Sequence, residues 1–169
     1  PLRWVFPRAP VQPVTINGGM PMRAWYDILG ADLVRREDEA GLRGSIAAVH
    51  ALLDREIARG VPAGRIVLAG FSQGGVIALH TGLRHAERLA GIVGLSTYLV
   101  DPASLAAEAS DANRAVPILL AHGLRDPVIH YEWAEASRNA LEKGGWKVEW
   151  HAYPMEHEAS HAEIRAVGS

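Results

Sequence analysis

Apolar residues in this chain fall into two rhythms. Short uninterrupted runs occur at Ile66-Val67-Leu68-Ala69, at residues 91–97 (GIVGLST) and at residues 117–121 (PILLA). Runs of this length, bounded by turn residues, predict strands buried on both faces. Between them the apolar positions recur at helical spacing. From Glu37 to Arg59, the residues Leu42, Ile46, Val49, Leu52, Leu53 and Ile57 form one face of a predicted helix, which Gly60 and Pro62 close. A second helix follows the 66–69 strand to about His85, and a third spans residues 131–143 before Gly144-Gly145. Residues 146–153 alternate as a strand does, and a last helix is expected from His157 onward.

The first thirty residues follow neither rhythm as clearly. Arg3-Trp4-Val5-Phe6 reads as a short strand stopped by Pro7 and Pro10. Residues 9–23 read as a proline- and glycine-rich loop, with Asn17-Gly18-Gly19 as its turn signal. Trp25-Tyr26-Asp27 carries no clear assignment. Strands alternating with helices predict one α/β domain over residues 1–169, with a mostly parallel sheet flanked by helices.

One junction in this pattern carries chemistry. The strand at 66–69 runs straight into Gly70-Phe71-Ser72-Gln73-Gly74-Gly75, and a helix follows. Gly70-x-Ser72-x-Gly74 in that setting reads as a nucleophile elbow rather than as a chance G-x-S-x-G. The glycines leave room for close backbone approach, and the helix start behind Ser72 offers N–H groups and a partial positive charge.

An activated serine needs a base, and the base needs an orienting carboxylate. Asp126 lies just past the 117–121 strand, in His122-Gly123-Leu124-Arg125-Asp126-Pro127. Four histidines follow it. His130 is too near in sequence to fold back easily, His151 lies inside a strand, and His161 falls on the terminal helix. His157 sits in the loop after the last strand, where the base is expected. His50, His80, His85 and His122 read as surface or loop residues. A rival motif overlaps here, because His157-Glu158-Ala159-Ser160-His161 matches H-E-x-x-H. A zinc site would need a third protein ligand, and Glu163 is the only acidic or histidine side chain after His161. The proline-bearing loop before His157 also opposes one helix carrying both histidines, so no metal is expected.

Composition narrows the field further. A formal net charge of −2 with both signs interspersed gives no reason to expect nucleic acid as a partner. The sequence has no cysteine, which excludes a thiol nucleophile and a disulfide framework and fits a cytoplasmic setting. No apolar run reaches the roughly 20 residues that span a bilayer, so membrane insertion is not expected. The chain opens Pro1-Leu2-Arg3-Trp4 without methionine, which points to an earlier natural start.

Three ordered motifs resemble a known family. Phe71-Ser72-Gln73-Gly74-Gly75, His122-Gly123-x-x-Asp126-Pro127-Val128 and Tyr153-Pro154-Met155-x-His157 are similar to the carboxylesterase and acyl-protein thioesterase family of α/β-hydrolases. Phe6-Pro7-x-Ala9-Pro10, Pro13-Val14-Thr15, Gly18-Gly19 and Ala24-Trp25-Tyr26-Asp27 resemble its bacterial carboxylesterase branch. The resemblance implies Ser72 as nucleophile, Asp126 as acid, His157 as base and the backbone N–H of Gln73 as an oxyanion donor. It implies an acyl pocket drawing on the Ser96-Thr97-Tyr98-Leu99 loop, with Tyr98 and Leu99 as its substrate contacts, and on Val128. It further implies cleavage of short- to medium-chain acyl esters or thioesters through an acyl-enzyme, no metal or organic cofactor, and a homodimer.

The chain also departs from the family pattern. The earlier strand whose His-Gly-rich loop supplies a second oxyanion donor has no counterpart here. In the family's sheet order that strand lies between the Trp4-Val5-Phe6 and 66–69 strands, and its loss would strand buried N–H and C=O groups. The resemblance therefore implies a natural chain longer at both ends. Two alternatives stay open: a related hydrolase of other acyl or lactone substrates, and an acyl-binding module without turnover.

Overall fold

The computed structural model describes residues 2–30 and 38–168. They fall into two compact units, residues 1–48 and residues 49–169.

In the first unit, β1 (Val11–Val14) and β2 (Met20–Arg23) form an antiparallel hairpin with Val11 opposite Arg23 and Val14 opposite Met20. The expected loop at 9–23 is therefore mostly hairpin. Its turn signal sits where the sequence has it: a 3-10 turn over Thr15–Asn17 leads into Gly18 and Gly19, at φ 68° and 74°. Asp27 ties the turn down by accepting from the Thr15 hydroxyl and, at 2.7 Å, from the Thr15 N–H. Those two bonds, the hydroxyl's first, hold the Asp27 carboxyl below the usual carboxylate range. Tyr26 is fully buried.

The strand expected at Arg3-Trp4-Val5-Phe6 does not form. These residues are irregular and exposed, and the Trp4 and Phe6 rings stack on each other at 6.1 Å. A strand exists only by pairing, and these residues pair with no strand among the described residues.

Helix α1 (Glu39–Ala58) follows the predicted spacing. Leu42, Ser45, Val49, Leu53 and Glu56 form its buried stripe, while Ile46, Leu52 and Ile57 flank it half-buried. The start expected at Glu37 lies outside the described residues. Gly60, at φ 92°, turns the chain out of the helix as the sequence predicts.

The second unit is built on a four-stranded parallel sheet in the order β3 (Val67–Phe71), β4 (Gly91–Leu95), β5 (Ile118–Gly123), β6 (Val148–Tyr153). The helices that follow these strands are α2 (Gln73–Arg84), α3 (Pro102–Glu108), α4 (Tyr131–Lys143) and α5 (His161–Val167). Helix α2 packs on β3 and β4, and α4 on β5 and β6. Successive strand residues face opposite ways. Ile92, Ile118 and Leu120 therefore join Leu79, Leu83 and Leu141 in the main core. Val93, Leu95, Leu119 and Ala121 form a smaller cluster with Tyr153 and Val167 on the other face. That double burial is why β4 reads as an unbroken apolar run, every residue of it buried. Helix α3 was not anticipated; it begins at Pro102, where Asp101 caps Ser104 N–H.

Two buried polar groups behave differently. The Asn113 side chain accepts from Leu89 N–H at 2.9 Å and donates to the carbonyls of His85 and Glu87 at 2.8 and 2.9 Å, pinning the loop before β4. Glu163, on α5, is fully buried, and neither carboxylate oxygen has a hydrogen-bond partner among the described residues. Burial pushes its carboxyl above the usual glutamate value. As pH rises the unfolded chain releases that proton first. Stability present below the ordinary glutamate pKa is thus lost between it and the raised value. Glu163→Gln, nearly isosteric with the protonated acid, is expected to raise Tm at pH 8 by about 2–4 °C and to change little at pH 4. Thermal melts at both pH values check this; equal shifts at the two would refute it.

Among the described residues, no helix is long and apolar enough to cross a membrane.

Candidate active site

Ser72 stands between β3 and α2 at φ 55°, ψ −125°, a conformation side chains rarely adopt. The surrounding backbone holds it there. Its N–H donates to Leu95 O at 2.9 Å, and its carbonyl accepts from Gly75 N–H at 2.9 Å and Val76 N–H at 3.2 Å. Only glycine fits at position 70, since a Cβ there would lie 2.0 Å from Gly74 O and 2.4 Å from Gly75 N. Glycine at 70 thus lets β3 and the start of α2 meet at contact distance, with Ser72 at the turn between them.

Asp126 sits in the loop after β5 and is 5% exposed. Its Oδ1 accepts from Val128 N–H at 2.8 Å and Ile129 N–H at 2.9 Å. Its Oδ2 accepts from His157 Nδ1–H at 2.7 Å. The other ring nitrogen, Nε2, accepts from the Ser72 hydroxyl at 3.1 Å. An ionised carboxylate only accepts, so it fixes the His157 proton on Nδ1 and leaves Nε2 free to take one. The Phe71 ring lies 4.8 Å from the His157 ring, centroid to centroid, and limits its movement.

Strand order accounts for half of this meeting and a loop for the other half. Strands β5 and β6 are neighbours with Gly123 opposite Tyr153, so Asp126 and His157 leave adjacent strand ends. Ser72 comes from β3, three strands from β6, or about 14 Å at ordinary strand spacing. After Tyr153 the chain folds back over the end of β5 to close that distance. Leu124 N–H donates to Tyr153 O at 2.8 Å and Arg125 N–H to Met155 O at 3.1 Å. A Cβ on Gly123 would lie 2.4 Å from Glu156 O and 2.5 Å from Met155 O. Glycine at 123 is what lets the two loops touch.

His122 is not the surface or loop residue that the sequence suggests. It lies in β5, 1% exposed, with Nε2–H donating to Ile129 O at 2.8 Å and standing 3.5 Å from Asp126 Oδ2. Burial lowers its pKa, so it enters the acid loop as a neutral ring. His80 and His85 are also buried rather than superficial. His80 bonds Val100 O at 2.9 Å, and burial brings its pKa down to about 4. A polar residue inside an apolar strand or helix face was the available signal for His122 and His80; His85, just past the end of α2, carried none.

Gln73 is the first residue of α2, so its backbone N–H lies in the opening turn beside Ser72. Tyr98 and Leu99 are buried. The Tyr98 ring is 6.2 Å from that of Trp133, and Leu99 N–H donates to Ser137 Oγ at 2.8 Å. Val128 is half exposed, two residues from Asp126. The H-E-x-x-H match does not lie on one helix: Ser160 caps α5, which starts at His161 and leaves His157 in the preceding loop. Among the described residues no group of His, Cys, Asp and Glu gathers as metal ligands would.

Comparison with known proteins agrees with this architecture. Residues 1–169 match the family model described as Phospholipase/Carboxylesterase. The chain is 41% identical to acyl-protein thioesterase 1 of Neurospora crassa, over 98% of this chain and 71% of that protein. It is 41% identical to acyl-protein thioesterase 1 of Schizosaccharomyces pombe, over 83% of this chain and 62% of that protein. Among solved structures, Arabidopsis thaliana SOBER1 superimposes with a TM-score of 0.91 at 31% identity, covering 97% of this chain and 80% of that one. The elbow, the parallel sheet and these matches agree: the chain belongs to the phospholipase/carboxylesterase family of α/β-hydrolases, a family of serine hydrolases.

Proposed function

We propose that this chain hydrolyses acyl esters or thioesters of short to medium chain length, with Ser72 as nucleophile, His157 as base and Asp126 as its orienting acid. The observation that carries this reading is the double engagement of His157, with one ring nitrogen on the Ser72 hydroxyl and the other on the Asp126 carboxylate. The name of the curated relatives, acyl-protein thioesterase, supports a thioester among the substrates.

The chemistry follows from the positions of the protons. His157 Nε2 takes the Ser72 proton as Oγ bonds to the acyl carbon, and Asp126 stabilises the imidazolium that results. The carbonyl oxygen becomes an oxyanion, for which the Gln73 N–H is the donor we assign. Collapse breaks the C–S or C–O bond, and His157 returns the proton to the departing thiol or alcohol. Water then bonds to the acyl carbon as His157 takes its proton; the bond to Ser72 Oγ breaks, His157 returns that proton to Oγ, and the carboxylic acid leaves. Among the three acyl-contacting candidates, Val128 is exposed near Asp126, whereas Tyr98 and Leu99 are buried and would shape the pocket wall.

The test is an alkyl fluorophosphonate with intact-mass analysis, alongside a panel of acyl thioesters and esters graded by chain length. One adduct mapping to Ser72, with turnover that falls off for long chains, is expected. Saturable fatty-acid binding by a folded, unlabelled and inactive protein would replace this reading with that of a binding module.

A further inference from the structure

We propose that Thr97 is a positioning residue that aims the Gln73 N–H, by holding the carbonyl of the Ser72 peptide from the neighbouring strand end. The proposal rests on Ser72 and Gln73 having the roles proposed above. The Ser72 carbonyl and the Gln73 N–H belong to one planar peptide unit, so fixing the direction of one fixes the other. Thr97 Oγ1–H donates to Ser72 O at 2.9 Å, in addition to the two N–H donors from the first turn of α2.

The surroundings of Thr97 are built around this contact. It is 4% exposed and lies just past the end of β4. A Cβ at Gly75 would lie 2.6 Å from Thr97 Cβ and Oγ1, and one at Gly94 would lie 2.8 Å from its Cγ2. Two glycines, one on α2 and one on β4, thus form the socket that the Thr97 side chain fills. The residue before it, Ser96, is held at φ 45° while its N–H donates to Ala121 O at 2.8 Å. A non-glycine residue in that region stores strain that its surroundings must over-determine. Here the bend at Ser96 turns the chain so that the next side chain meets the elbow. A threonine serving only as packing would have no need of a hydroxyl on that carbonyl.

The role predicts a particular kinetic signature. The oxyanion exists only in the tetrahedral state, so a misaimed donor lowers kcat and leaves KM nearly unchanged. Thr97→Val removes the hydroxyl and keeps the shape, whereas Thr97→Ser keeps the hydroxyl and drops a methyl. Thioester turnover, inhibition by a trifluoromethyl ketone that forms a tetrahedral adduct, and Tm are measured for both. Thr97→Val is expected to lose about 5–10-fold in kcat and in affinity for the ketone, with KM within about twofold, the scale of one lost hydrogen bond. Thr97→Ser is expected to retain kcat within about twofold even where its Tm falls. If the valine variant does not fold, Thr97→Ala makes the same comparison without overpacking. Equal losses in the hydroxyl-bearing and hydroxyl-free variants, or an unchanged kcat in the latter, would overturn the brace. Failure of the unsubstituted protein to label at Ser72 would instead remove the reading beneath it, and the brace with it.

Discussion

Replacing Ser72 by alanine is expected to lower kcat for thioester hydrolysis by about 10⁶-fold, with Tm nearly unchanged. The hydroxyl is the only group at the elbow that can bond to an acyl carbon, and its proton is the one His157 Nε2 is placed to accept at 3.1 Å. Alanine removes both without touching what holds the turn together. The backbone bonds from Ser72 N–H to Leu95 O, and from Gly75 and Val76 N–H to Ser72 O, remain. The side chain makes no cap to the helix that the substitution would break. Activity and stability are therefore expected to separate, and measuring kcat and Tm on one preparation checks this. A variant that keeps even a hundredth of the activity would show that the acyl group is transferred elsewhere.

Asp126→Asn is expected to lower kcat by about 10⁴-fold, again without loss of the fold. The amide oxygen can keep the bonds from Val128 and Ile129 N–H at 2.8 and 2.9 Å, so the acid loop retains its shape. The amide nitrogen then faces His157 Nδ1, where Oδ2 stood at 2.7 Å. Two donors cannot share that contact, so the ring moves its proton to Nε2 and meets Ser72 as a donor. The base is lost through its tautomer. The pH–rate profile of the residual activity supplies the check. Residual activity is expected to rise towards high pH, where hydroxide replaces the missing base. An unchanged kcat would mean that Asp126 does not set the tautomer.

Both predictions rest on residues legible in the sequence. The elbow announces itself because glycine at 70 is a local necessity: a Cβ there would lie 2.0 Å from the carbonyl oxygen of Gly74, four positions on. The apolar run at 91–97 is legible because both faces of β4 are covered, and the α1 stripe because 3.6-residue spacing is a property of one helix. Asp126 and His157 could be chosen by their positions after strands, since ligand-facing loops leave strand ends in parallel sheets.

Other features were hidden because each depends on a partner distant in the chain. Arg3-Trp4-Val5-Phe6 has strand propensity, but propensity supplies no neighbouring strand, and the segment stays irregular. The reverse holds for β1 and β2, which contain Pro13 and Pro21 and expose every residue of β2, so no apolar alternation marks them. They are held by pairing across Gly18 and Gly19. His122 looks superficial until Ile129 O and Asp126 close around it. Thr97 meets Ser72 from 25 residues away, through a socket made by glycines on two other elements. By itself the sequence determined the local geometry, where the chain must turn, which faces are apolar and which residue types bear chemistry. Only the tertiary structure decided which backbone and side-chain groups meet. Hydrogen bonds and packing contacts act over a few ångströms in space, however far apart their residues lie along the chain.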